Sequence, residues 1–130
     1  MNMENLQSSE LRIGNLVLID GDILGKISEI RSNHAKILYK GEVNSQIGER
    51  FSLIDYDRIK PIPITKEWLI RFGFEGTEFL IGFGNFICSP HNNILTWFGV
   101  SIHNSLWNEV HKFQNLHYAL TGQELFLKNK

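Results

Sequence analysis

Charge is missing from this chain where a folded domain normally carries it. Thirty consecutive residues, Phe79 to Asn108, contain no Asp, Glu, Lys or Arg. An antiparallel sheet usually solvates one face with such side chains. Cysteine is nearly absent too: Cys88 is the only one in 130 residues. That excludes an internal disulfide and any multi-cysteine metal centre, and it fits a reducing cytoplasm. Basic excess is lacking, since the formal net charge is −1, which argues against a polyanion binder driven by phosphate neutralisation. No window is long and apolar enough to span a bilayer. Met1 to Glu10 is polar, so a signal peptide is not expected. There is no Gly-x-Gly-x-x-Gly or Walker-type phosphate loop; Gly82-Phe-Gly84 is a bare Gly-x-Gly that reads as a hairpin or bulge.

What is present suits a buried core. The hydrophobic fraction is 42% and the charged fraction 21%, in a length that fits one compact domain or two small subdomains. Ile59 to Phe74 divides the chain. Pro61 and Pro63 end any strand before them. Thr65 reads as a helix N-cap, with Ile64 and Leu69 spaced as a hydrophobic staple. Gly73 stands where a left-handed C-terminal residue belongs, and Phe74 follows to pack back. Before this segment, Asn15–Asp20, Ile23–Ile30, Ala35–Tyr39 and Phe51–Ile54 read as strands, with a tight turn at Asp20-Gly21-Asp22. Gly25 marks a bulge or a close backbone approach. Lys40 to Arg50 reads as a long polar loop, and Asp55-Tyr-Asp57 as a turn. Short strands closed before a helix suggest an SH3-like small β-barrel over residues 1–60.

Residues 61–130 are expected to form an α+β part. Only three of the fifteen aromatic residues precede Thr65. After a turn at Glu75-Gly76, strands are expected near Glu78–Phe83, Asn85–Cys88, Ile94–Phe98 and Val100–His103, with a hairpin loop at Ser89–Asn93. A terminal helix over Val110–Thr121, capped by Asn108 and stopped by Gly122, places Phe113, Leu116, His117 and Leu120 on one face toward the sheet. Glu124–Leu127 reads as a last edge strand.

Ile59–Phe74 and Val110–Leu125, together with Arg12-Ile-Gly-Asn15, resemble a set of small uncharacterised proteins of Bacteroidetes genomes, their phages and mobile elements. His117 stands where an aromatic residue is expected in that set. The resemblance implies a cytoplasmic accessory protein and brings no catalytic residue with it.

Candidate sites are few. Cys88-Ser-Pro-His91 sets a thiol near an imidazole, but nothing supplies an orienting third group. His91, His103, His111 and His117 have no His-x-x-x-His spacing, so no metal site is assigned. Trp97, Phe98 and Trp107, with Asn92, Asn93, Asn104 and Asn108, have the chemistry of base stacking and edge pairing; the more ordinary reading is a sheet core of alternate aromatics with Asn in its turns. His111, Asn115 and Tyr118 lie at i, i+4, i+7 on a second helix face, a polar-aromatic stripe that suits either a ligand or solvent. These features point to a binding protein rather than an enzyme, without cofactor. A small nucleotide-type ligand comes first, a nucleic-acid accessory module second and a protein–protein adaptor third. The uncharged stretch Phe79–Asn108 further predicts a homodimer formed through that sheet.

Overall fold

The structure, a computed structural model, describes residues 10–43 and 46–128. The fold is α+β: two antiparallel five-stranded sheets and two helices. The chain divides into two compact units between Ile62 and Pro63.

The first unit is a meander of β1 (Leu16–Ile19), β2 (Ile23–Ile30), β3 (His34–Val43) and β4 (Gln46–Asp55). A 3-10 turn, Tyr56–Arg58, then leads into β5 (Ile59–Lys60). The strand order is β4-β3-β2-β1-β5. Arg12-Ile-Gly-Asn15 is a folded entry to β1. The Arg12 amide donates to Asn15 Oδ1 at 2.7 Å, Gly14 takes φ 98°, and its amide donates to the Ile27 carbonyl. Val17, Ile19, Ile27, Ala35, Ile37, Ile54 and Ile59 bury one face of the sheet. Gly25 is a close approach: a Cβ there would meet Ile37 Cγ2 at 2.5 Å. The bulge lies further on, where the β2–β3 register shifts between Ile27 and Glu29. Asp20, at φ 56°, is held by Arg58, whose guanidinium donates to both carboxylate oxygens at 2.9 and 2.7 Å. Those hydrogen bonds, and then the charge of Arg58, hold the Asp20 carboxyl below its usual range.

The expected loop at Lys40–Arg50 is instead the distal part of the β3–β4 hairpin. Lys40 pairs with Glu49, Gly41 with Gly48, Glu42 with Ile47 and Val43 with Gln46. Residues 44 and 45 lie outside the described residues.

In the second unit, α1 (Lys66–Phe72) is capped as its sequence dictates. Thr65 Oγ1 accepts from the Trp68 amide, Gly73 takes φ 119°, and the Phe74 amide donates to the Leu69 carbonyl. A meander follows: β6 (Glu75–Gly76), β7 (Ile81–Phe83), β8 (Phe86–Ser89), β9 (Ile94–Trp97) and β10 (Val100–Ile102). Glu75-Gly76, expected as a turn, is thus a short edge strand paired to β7. The terminal helix α2 spans Val110–Thr121. Its N-cap is Glu109, without a side-chain cap bond, and not Asn108; Gly122 ends it at φ 75°. The segment Glu124–Leu127 forms no strand; Leu125 is buried there, and the Lys128 amide donates to the Arg71 carbonyl.

Rings hold this unit together. Phe113 of α2 packs on Phe86, Phe74 and Phe72 with centroids 5.6, 5.7 and 6.2 Å apart. Cys88 and Leu95 complete the buried sheet face. The buried face of α2 consists of Val110, His111, Phe113, Gln114 and His117, with Leu116 and Leu120 half-buried. It is therefore rotated from the expected Phe113–Leu116–His117–Leu120 stripe toward His111. Among the described residues no helix is long and apolar enough to cross a membrane.

Candidate functional site

The second unit carries two adjoining depressions where the sheet meets α2. One, about 380 Å³, is lined by Phe83, Asn85, Phe86, Trp97, His117 and Gln123, among others. The other, about 280 Å³, is lined by Trp97, Val100, Ile102, His103, Leu106 and Leu116, among others. Trp97 and Leu120 line both, so the two adjoin at these residues and together make up the groove beside α2.

Register explains why these residues meet. Phe83, Phe86, Trp97 and Val100 lie opposite one another along a single row across β7, β8, β9 and β10. Two hairpin turns close that end of the sheet. Gly84, at φ 59°, opens the β7–β8 turn, and Phe98-Gly99, at φ 52° and 82°, forms the β9–β10 turn. The Phe98 amide donates to the Asn85 carbonyl at 3.1 Å and ties the turns together. The C-terminal turn of α2 supplies Leu120 and Thr121.

His117 is the polar centre of the larger depression. Its ring stacks on Phe86 at 5.8 Å and 27° and lies 5.9 Å from Phe83. Its Nδ1 is 2.9 Å from the Gln123 carbonyl oxygen. Thr121 Oγ1 donates to the His117 carbonyl and accepts from the Gln123 amide, which fixes the chain as it leaves the helix. None of the lining residues is Lys, Arg, Asp or Glu.

The seven residues singled out from the sequence do not form one site. Trp97 lines the groove, and Phe98 packs edge-on against it at 4.7 Å while remaining 64% exposed. Asn104 lies away from the groove lining, donating to Asn93 Oδ1 at 3.0 Å. Trp107 is buried, its Nε1 donating to the Ile102 carbonyl, so it supports β10 rather than contacting a ligand. His111, expected on a solvent-facing stripe with Asn115 and Tyr118, is fully buried. Asn115 is half-buried and Tyr118 exposed, so the stripe is no continuous surface. His117, Phe83, Asn85, Phe86 and Gln123 were not expected as site residues. No local sequence signal marks them, because they meet only once β7, β8 and β9 are in register and α2 packs beside them.

Cys88 is buried, and desolvation pushes its thiol up to about 11. Such a thiol is a poor nucleophile near neutrality. His91 is exposed with its ring against Phe79 at 5.5 Å.

The first unit has a depression of its own, about 410 Å³, lined by Leu16, Leu24, Lys26, Leu38, Lys40 and Glu49, among others. These six come from the sheet face opposite that unit's core, while Tyr39, which also lines it, packs on the core side. Lys26, Leu38 and Phe51 are register neighbours there, and Lys36 Nζ lies 5.1 Å from the Phe51 ring centroid. It contains a single ring, Tyr39, whose hydroxyl is engaged with Ser52 Oγ at 2.9 Å. Comparison with protein-family models, curated proteins and solved structures returns no match.

Proposed function

We propose that this is a non-enzymatic binding protein that takes a small aromatic ligand of nucleotide type in the groove between the second sheet and α2. The observation that carries the reading is the convergence of Phe83, Phe86, Trp97 and His117 on one concave surface with Asn85 and Gln123 at its margin. Ligand sites are typically concave and mostly apolar, with a few placed polar groups. The resemblance to small uncharacterised proteins of phages and mobile elements suits a cytoplasmic accessory role, and sequestering such a signal is the role proposed within it.

Thermal-shift and calorimetric screening with nucleobases, nucleosides and mono-, di- and cyclic nucleotides tests the reading. Binding that Trp97→Ala abolishes is expected. No response to any member of the panel removes it.

A second reading, a nucleic-acid accessory module, draws support from the first unit. The order β4-β3-β2-β1-β5 and the 3-10 turn before β5 favour an SH3-like unit. Its outer face sets Lys26, Lys36 and Lys40 near exposed Phe51, with Glu49 opposite Lys40 and Glu29 opposite Lys36. Tight, salt-dependent binding of single-stranded DNA or RNA, lost on Phe51→Ala, would place function there instead. Binding of neither class favours a protein–protein adaptor. The assembly proposed with the first reading is a homodimer through the second sheet.

A further inference from the structure

The polar groups of the groove narrow its ligand beyond the nucleotide type proposed above, on which this inference rests. A carbonyl oxygen only accepts, so the 2.9 Å contact between His117 Nδ1 and the Gln123 carbonyl places a hydrogen on Nδ1. In the neutral imidazole the other nitrogen, Nε2, then carries a lone pair and accepts. The ring is held in this setting by the Gln123 carbonyl at its Nδ1 and by Phe86, 5.8 Å away at 27°, and it is only 7% exposed. His117 lines the larger depression together with Phe83, Phe86, Trp97 and Asn85, so the imidazole that carries this acceptor belongs to the same surface as the rings. Rings favour a planar π surface, and a committed acceptor favours an N–H donor at that plane's edge.

Charge decides against phosphate. Nucleotide phosphates are normally met by Arg, Lys, a metal ion or a helix N-terminus. Neither half of the groove is lined by Lys or Arg, and the α2 residues that line it, Leu116, His117, Leu120 and Thr121, lie toward its C-terminal end. That end carries the negative pole of the helix dipole. A dianion seated there would be desolvated without a counter-charge, which is costly.

We propose that the groove recognises a neutral planar heteroaromatic that donates an N–H from its edge, the class of amino-bearing nucleobases and their nucleosides, and that it disfavours their phosphates. Calorimetry on the full chain with adenosine, cytidine, guanosine, purine riboside and adenosine mono- and diphosphate tests this. Purine riboside keeps the ring and sugar of adenosine but lacks its exocyclic amine. Adenosine or cytidine is expected to bind, purine riboside about fivefold or more weaker than adenosine, and each added phosphate to weaken binding further. His117→Phe keeps a ring on Phe86 and is expected to erase the difference between adenosine and purine riboside. The comparison on the unmodified protein stands even if that variant does not fold. Equal binding of adenosine and purine riboside overturns the N–H contact. Phosphate-bearing ligands that bind tighter than adenosine overturn the neutral-ligand inference while leaving the groove as a nucleotide site. Failure of every nucleoside and nucleotide overturns both.

Discussion

At the scale of single residues, absent atoms set the packing of the first unit. Gly25 lies in β2 opposite Tyr39, and the space a side chain would need belongs to Ile37 and Ile19. Ile37 Cγ2 sits 2.5 Å from where a Cβ would stand, and Ile19 Cδ1 at 3.3 Å. Both isoleucines are fully or nearly fully buried, and Cγ2 is the branch fixed closest to the Ile37 backbone, so neither yields easily. Gly25→Ala is expected to cost about 1–3 kcal/mol through overpacking, despite the gain in strand propensity. Urea unfolding should show the midpoint falling with the slope unchanged. A stability within about 0.5 kcal/mol of the parent, the usual range for surface changes, would mean the sheet accommodates the methyl and the close approach is incidental.

At the scale of elements, α1 is only seven residues long, too short to be stable by propensity. Its ends and its buried Leu69 and Phe72 must hold it. The Trp68 amide reaches Thr65 Oγ1 at 3.3 Å, a long bond, so Thr65→Ala is expected to cost about 0.5–1 kcal/mol, at the low end for a cap. Gly73→Ala should cost more, because it forces a Cβ onto a backbone at φ 119° and to 3.0 Å from the Phe83 ring. Paired thermal unfolding of the two variants checks that order, and a larger loss for Thr65→Ala would contradict it. This helix was legible in the sequence because caps are local chemistry. The span of α2 was legible as well, since Phe113, His117 and the stop at Gly122 lie within one segment. What misled was structure made by pairing alone. Lys40–Arg50 joins β3 and β4 through a backbone ladder, and it has no apolar alternation to mark it. Glu124–Leu127 has strand-like residues but no partner strand in the sheets. The groove escaped for a related reason. Its row Phe83, Phe86, Trp97, Val100 exists only once four strands are in register, whereas sequence proximity grouped Trp97 with Trp107 and Asn104.

At the scale of the whole molecule, the second sheet has two unlike faces. One bears the aromatic packing with α2. On the other, register aligns Gly82, Ile87, Thr96 and Ser101 across β7 to β10, with Ser89 and Ile94 in the next row. Ile87 is 48% and Ile94 46% exposed, and Glu75 on the edge strand β6 is the first formal charge along the row. Small side chains make this face flat, and its lack of charge leaves little to hold water or repel a second copy. Interface cores are depleted in charge in this way, and twofold pairing is the commonest closed arrangement. A stable interface needs roughly 800 Å² from each partner, so these two rows would form its centre and not its whole. The dimer proposed for this protein therefore uses the outer face, which separates it from the groove: Trp97 shares its row and side with Phe86, whereas Ile87 and Ile94 point the other way. Light scattering at micromolar concentration is expected to give twice the 15.0 kDa chain mass. Ile87→Glu combined with Ile94→Glu should return it to a monomer, while Trp97→Ala should leave the dimer intact and affect only ligand binding. A monomeric mass for the unmodified protein would reject the assembly, and a dimer indifferent to both glutamates would reject this face as its interface.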